Sequence, residues 1–155
     1  MIKLSLLPQF FILTLFAAAC SSPPDTQISD RLQIAGQVAK YAQLWDQKDS
    51  EALVDLFSED AIMEWRILGA DVQPPAVTGR EAIEAYAYQA HTERLAGRQS
   101  RHHSSGLVFE TLTGNAALTE HILMVTHVIP GEAPKIIATG TYRIEWVKVE
   151  EQWLI

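Results

Sequence analysis

The sequence has only one cysteine, Cys20, in 155 residues, so it excludes an intramolecular disulfide. A chain of this length buries a core without such a staple. Basic residues are also scarce, with 12 Lys and Arg against 19 Asp and Glu. An acidic chain without a basic stripe is a poor binder of nucleic acid, because phosphate neutralisation dominates that affinity. There is no glycine-rich phosphate loop and no internal repeat, and we therefore expect one globular domain with a small-molecule or protein partner.

Long apolar runs are confined to the amino terminus, where Lys3 precedes an apolar segment at 4–16 and three alanines at 17–19. The segment is shorter than the ~20 apolar residues of a spanning helix and has the tripartite form of a secretory signal. Cys20 follows directly, which resembles the lipobox of bacterial lipoproteins, although Ala17 stands where leucine is usual. The alternative is an ordinary signal that leaves a free thiol at Cys20.

The resemblance implies a protein anchored to a membrane of the bacterial cell envelope through a lipid on Cys20, facing the periplasm or the exterior. We therefore predict a signal peptide at 1–19, a lipidated tether at 20–27 and a domain at 28–155. Several acyl chains on one cysteine would anchor the domain stably, whereas a single chain binds only marginally.

Apolar spacing after the tether predicts helices. Ile34, Val38, Tyr41 and Trp45 form one stripe of a helix that begins at Ser29 or Asp30 and ends at Trp45 or Asp46. A short second helix opens at Asp49 or Ser50, and a first strand is expected at 61–68. The sequence TGRE at 78–81 has the form of a capping box, which predicts a third helix that runs to about Leu95.

From Arg101 onward the pattern has period two, which predicts strands. An unbroken alternation places His103 on the same face as Ser105, Leu107 and Phe109. Further strands are expected at 119–129, 136–146 and 153–155, with turns between them. Alternation of this kind is typical of an antiparallel sheet that packs one face on the core and exposes the other to solvent. The chain is therefore predicted to be α+β, with amino-terminal helices packed on a curved antiparallel sheet.

Four stretches carry a resemblance to a known family: YAQLWDQKD at 41–49, ALVDLFSEDA at 52–61, TGREAI at 78–83 and WLI at 153–155. With the order of elements, they resemble the cone-shaped nuclear transport factor 2-like fold and, within it, the SnoaL-like branch. The resemblance covers nearly all of 28–155. It implies no single function, because this scaffold serves isomerases, dehydratases, cyclases and binding proteins.

Two enzyme patterns of that superfamily can be compared with this sequence. Ketosteroid isomerase-like members have a tyrosine that Tyr41 matches, but Trp65 and Gly140 stand where their two aspartates lie, which argues against that chemistry. Scytalone dehydratase-like members have an aspartate that Asp46 matches and a histidine that His103 matches. His102 is the alternative if the strand shifts by one residue. Trp45 and Trp65 replace two tyrosines of that pattern.

The residues themselves also favour a catalytic pair of Asp46 and His103. Asp46 lies in the last helical turn, where the helix dipole disfavours a carboxylate by a few tenths to ~1 kcal/mol. It continues the row of Ala35, Ala39 and Ala42, so we expect it to point inward and to need a partner. An inward histidine would be held in one tautomer for acid–base work. The alternative is a solvated Asp46 that caps the turn beside Lys48.

The remaining candidates line a binding pocket rather than hold a cofactor. We expect an apolar pocket for a flat hydrophobic ligand, with no metal and no cofactor, lined by Tyr41, Trp65, Tyr86, His102 and Tyr142. His121 and His127 are expected to be core or edge histidines, and His91 is expected to face solvent.

Three hypotheses for the function follow from the sequence. The first is a lipoprotein that binds a small hydrophobic molecule without chemistry. The second is a cofactor-free lyase or isomerase that uses Asp46 and His103. The third is a structural module that docks a partner or forms a homodimer through its sheet.

Overall fold

The computed structural model describes residues 26–155, so the predicted signal peptide and Cys20 lie outside the described residues. Along the chain the elements are α1 (Thr26–Gln47), α2 (Ser50–Val54), β1 (Ile62–Met63), β2 (Val77–Thr78), α3 (Arg80–Gln89), a π-helical turn (Ala90–Arg94), β3 (Gln99–Leu112), β4 (Ala116–Val128), β5 (Lys135–Val149) and β6 (Gln152–Leu154). None of the helices in this part of the chain is both long and apolar enough to cross a bilayer.

The first helix is longer than predicted and is fixed to the sheet at both ends. It begins at Thr26, so the last two residues of the expected tether are helical. Near its start, the buried Asp30 carboxylate accepts hydrogen bonds from Trp153 Nε1 at 2.9 Å and Lys148 Nζ at 3.0 Å. Near its end, Gln99 Nε2 donates to the Asp46 carbonyl oxygen at 2.7 Å, which satisfies one of the free carbonyls of the last turn.

A four-stranded antiparallel sheet forms the second layer, in the order β3-β4-β5-β6. Two apolar clusters form the core. One packs the helices together around α2, α3 and the segment after α2, and it includes Leu53, Leu56, Phe57 and Ile83. The other joins α1 to the sheet and includes Ile34, Val38, Ala117, Trp146 and Trp153. The predicted α+β architecture, with helices packed on a curved antiparallel sheet, is confirmed.

Two local expectations about the helices and short strands are wrong. The first strand covers only Ile62–Met63, where it pairs with Val77–Thr78 rather than with the large sheet. Thr78 is held in that pairing, so the N-cap of α3 is Gly79 at φ 91°, and it makes no side-chain cap. A residue with a Cβ adopts this backbone angle only with strain, which explains the glycine.

The long strand β3 contains an irregularity that reverses its faces. Gly106 has φ 67°, and the register with β4 shifts between Ser105 and Val108, as in a β-bulge. Before the bulge the inward residues are Ser100 and His102; after it they are Leu107 and Phe109. The alternation that placed His103 on the face of Leu107 therefore does not continue across Gly106.

Candidate active site

A carboxylate and an imidazole form a close pair where α1 meets β3. The Oδ1 atom of Asp46 lies 2.7 Å from His102 Nδ1, and its Oδ2 accepts the His102 backbone N–H at 2.9 Å. The side chains are 13% exposed for Asp46 and 6% for His102. Both carboxylate oxygens thus accept hydrogen bonds from His102, one from its backbone and one from its ring, and these two bonds fix the orientation of the ring.

The charge of Asp46 determines the tautomer of His102. Burial tends to raise the pKa of the Asp46 carboxyl, but the hydrogen bonds from the His102 ring and backbone outweigh it, so the pKa lies below its ordinary value. An ionised carboxylate can only accept hydrogen bonds, so Nδ1 must carry the proton that it donates. The neutral ring then has a free lone pair on Nε2, which makes no hydrogen bond within residues 26–155.

The predicted pairing of Asp46 with His103 is wrong. His103 is exposed, and its Nε2 lies 3.1 Å from Thr126 Oγ1, away from Asp46. The physical reason is the bulge at Gly106, which leaves His102 and not His103 on the inward face of β3. His102, the alternative for a strand shifted by one residue, takes the place beside Asp46.

His102 lines a pocket of about 380 Å³ between the helices and the sheet. Its wall is mainly aromatic and aliphatic, and it includes Tyr41, Trp45, Met63, Trp65, Tyr86, Leu95, Leu123, Val125 and Tyr142. A larger groove of about 580 Å³ shares Tyr41, Met63, Trp65 and Tyr142 with this pocket but does not include His102. The groove carries Asp60, Glu64 and Glu145 and has no acid–base pair of this kind. The acid–base pair therefore lies at the smaller pocket, which we call the His102 pocket.

Two phenols of the His102 pocket stay protonated. The Tyr41 and Tyr142 rings meet edge to face at 5.7 Å. Burial raises the pKa of Tyr142 and raises that of Tyr41 well above the ordinary value for tyrosine. The two hydroxyls interact, with Tyr41 as the donor and Tyr142 as the acceptor. The Tyr142 hydroxyl therefore keeps a proton that it can donate to an oxygen of a bound molecule at neutral pH.

The family of the chain follows from a comparison of its whole described length. A family model for the SnoaL-like domain matches residues 26–155. The chain belongs to this family. The curated proteins include none that matches the sequence of this SnoaL-like domain.

Solved structures with the same fold come from several bacteria. A candidate scytalone dehydratase from Novosphingobium aromaticivorans is 24% identical, with a TM-score of 0.69 over 84% of this chain and 81% of its own. A nuclear transport factor 2-like protein from the same species, with a cystatin-like fold, is 25% identical, with a TM-score of 0.69 over 83% and 79%. A Catenulispora acidiphila protein in complex with S-DNPA is 19% identical, with a TM-score of 0.67 over 83% and 89%. They show the fold of the SnoaL-like domain.

The five residues predicted to bind a ligand all reach the His102 pocket of the SnoaL-like domain. Tyr41, Trp65, Tyr86, His102 and Tyr142 lie in its wall, and the rings of Trp65 and Tyr86 are 5.0 Å apart. Their role as ligand contacts stays a prediction. Within residues 26–155 no group of three or more His, Cys, Asp or Glu side chains is placed to hold a metal.

The prediction that His91 faces solvent is wrong, and the structure of the SnoaL-like domain shows how this side chain packs. His91 was expected to face solvent but is only 4% exposed. Its Nδ1 lies 2.7 Å from Ser50 Oγ, and its ring packs edge to face on Trp45 at 4.9 Å. The sequence contains a signal for this burial, because His91 follows the buried Ala87 by four residues and Ile83 by eight. His91 thus supports Trp45, which in turn contacts His102 at 6.0 Å between ring centroids.

Buried histidines predict a pH dependence of the stability of the SnoaL-like domain. Burial lowers the pKa of His91, His121 and His127. Well above pH 6.5, the ordinary pKa of histidine, these rings are neutral in both the folded and the unfolded chain. As the pH falls through that value the unfolded chain takes up more protons than the folded one, so stability falls. The urea midpoint should therefore decrease from pH 7.5 to pH 5.5.

A matched pair of variants tests this pH dependence. His121 Nδ1 has no hydrogen-bond partner within residues 26–155, so His121→Phe removes a titrating group without leaving a partner unsatisfied. His121→Phe should flatten the pH profile, whereas His103→Asn at an exposed site should leave it unchanged. A urea midpoint that rises as the pH falls would contradict the assignment.

Proposed function

We propose that the SnoaL-like domain is a cofactor-independent lyase or isomerase that acts on a small, flat, mainly hydrophobic molecule. The observation that carries the proposal is the Asp46–His102 pair at the wall of an aromatic pocket. A fixed imidazole with a free Nε2 beside an apolar cavity is a suitable general base. The complex of a structural neighbour with S-DNPA supports a small-molecule occupant.

The proposed chemistry is proton transfer beside a carbonyl group. Nε2 of His102 removes a proton from the carbon next to the carbonyl, and the C–H electron pair moves into the enolate. The Tyr142 hydroxyl, which accepts from Tyr41, donates a hydrogen bond to the enolate oxygen. The imidazolium, stabilised by Asp46, then returns the proton either to another carbon, which gives an isomer, or to a leaving hydroxyl, which gives an alkene and water. No oxidant or reductant is needed.

Binding without chemistry is the second candidate function. It is favoured by Trp45 and Trp65, which line the pocket where the dehydratase-like pattern has tyrosines. Without those two phenols, the pocket has fewer groups to hold a leaving water. The same aromatic wall would bind the same class of molecule, so the two candidates differ only in turnover.

Hydrogen exchange into a simple ketone distinguishes the two candidates. The probe is 2-tetralone, a bicyclic ketone with acidic protons beside its carbonyl group, incubated in deuterated buffer with the full chain. The proposal predicts deuterium incorporation well above the buffer rate, followed by proton NMR. A protein that binds 2-tetralone but leaves the exchange at the buffer rate would make binding without chemistry the function.

We further propose that the domain is held at the bacterial cell envelope by a lipid on Cys20. The support is the position of the single cysteine after Ala17, Ala18 and Ala19. Expression with an alkyne-tagged fatty acid should label the wild type and place it in the membrane fraction. Cys20→Ser should abolish the label and release the domain or block its maturation. A wild-type protein recovered without label and with an unmodified terminus would contradict the anchor.

A further inference from the structure

The ionisable residues of the His102 pocket are unusual for an acidic chain. Its wall contains Arg94, Arg98, His102 and His127 but no aspartate or glutamate. The chain as a whole has a net charge of −7. The neighbouring groove, by contrast, is lined by three acids and one arginine. Asp46 lies behind His102 with both oxygens engaged, so the residues that face a ligand here are neutral or positive.

Arg94 is held in place at the pocket by an aromatic ring. Its guanidinium carbon lies 4.9 Å from the centre of the Tyr86 ring, and Nη2 donates to the Tyr86 hydroxyl at 2.7 Å. Arg94 is also the last residue of the π-helical turn Ala90–Arg94, a rare conformation that is frequent at functional sites. An arginine fixed in this way loses little freedom when it binds an anion.

Arg98 provides a second positive charge without a partner. It follows Gly97, which has φ 68°, and its side chain is exposed. Its charge contributes to lowering the pKa of His127 across the pocket, after the larger effect of burial. Among residues 26–155, neither Arg94 nor Arg98 forms an ion pair with a carboxylate. Both guanidinium groups are therefore available to a ligand.

We infer that the molecule bound in the His102 pocket carries a carboxylate, which Arg94 and Arg98 bind at the rim while its flat apolar body lies against the aromatic wall. The planar guanidinium group matches a carboxylate with two parallel hydrogen bonds. This inference rests on the proposed function, because it names the substrate class of the same pocket. An aromatic or polycyclic carboxylic acid with an enolisable carbonyl group combines both requirements.

The test compares two ligands of the same shape and different charge. Binding of 2-naphthoate and of its neutral amide, 2-naphthamide, is measured by calorimetry on the full chain at low salt. The wild type should bind the acid at least about tenfold more tightly, which corresponds to about 1.4 kcal/mol. Arg94→Gln and Arg98→Gln should each reduce this preference, and the double variant should bind the two ligands about equally. Arg101→Gln, the same change at an exposed residue outside the pocket wall, should keep the full preference.

Each contrary outcome is distinct. Equal binding of acid and amide by the wild type would overturn the carboxylate inference and leave the proposed function in place. A preference that persists in the double variant would also overturn it, because the anion would then bind elsewhere. Failure to bind either compound would overturn the inference together with the proposed ligand class of the pocket. Thermal melting of each variant shows that it is folded, and Arg94→Lys, which keeps the charge, should retain part of the preference.

Discussion

Replacing His102 by asparagine should lower the rate of deuterium incorporation into 2-tetralone by about 10²–10⁴-fold, the usual contribution of a positioned general base. Asparagine can still donate to the Asp46 carboxylate but offers no basic nitrogen to the pocket. Binding of 2-tetralone should change far less than the rate, because the ring acts mainly in the transition state. The measurement is proton NMR in deuterated buffer, with the dissociation constant determined separately.

His103→Asn is the matched control for this loss. It is the same substitution at the adjacent residue, but His103 is exposed and contacts Thr126 rather than Asp46. We expect its exchange rate to equal that of the wild type. Equal loss in both variants, or loss only in His103→Asn, would contradict the assignment of His102.

Replacing Trp153 by alanine should lower the free energy of unfolding by about 3–5 kcal/mol, the usual cost of removing a large buried aromatic ring. Trp153 is only 1% exposed and packs with Ile34 and Val38 of α1. Its Nε1 also donates to the buried Asp30 carboxylate at 2.9 Å, which the substitution leaves with one donor fewer. Urea denaturation followed by circular dichroism measures the loss.

Trp65→Ala provides the comparison for Trp153. Trp65 is half-buried at the His102 pocket, where its removal enlarges a cavity that is already open to a ligand. We therefore expect a much smaller loss of stability and a clear loss of affinity for 2-tetralone. An equal free energy of unfolding for Trp153→Ala and Trp65→Ala would contradict this account, because the cluster between α1 and the sheet would then contribute no more to stability than the pocket wall does.

Helical periodicity gave reliable information about α1 because that helix is long and regular. The row of Ala35, Ala39 and Ala42 predicted that Asp46 points inward and needs a partner. Ala39 itself is exposed, but Asp46 lies against His102. The fold could be predicted for a similar reason: the change from period 3.6 to period two reports a burial pattern that runs over many residues.

The sequence did not predict which histidine is the partner of Asp46, because the choice between His102 and His103 depends on a single residue, Gly106. A strand period of two places His103 inward only if the strand is unbroken, and the bulge at Gly106 reverses the faces. The glycine was visible in the sequence, but its positive φ depends on the pairing with β4. Likewise, the apolar spacing of the third helix does not distinguish the π-helical turn at Ala90–Arg94 from a regular helix.

The tautomer of His102 is the most direct test of the proposed acid–base pair. Long-range proton–nitrogen NMR on the full chain, labelled at histidine and recorded at about pH 8, reports which ring nitrogen carries the proton, and His102→Asn assigns the signal. Because the ionised Asp46 accepts from Nδ1, we predict a single neutral tautomer with the proton on Nδ1 and a bare Nε2. A proton on Nε2, or a rapid exchange between both tautomers as in a free histidine, would contradict the pair and its proposed role.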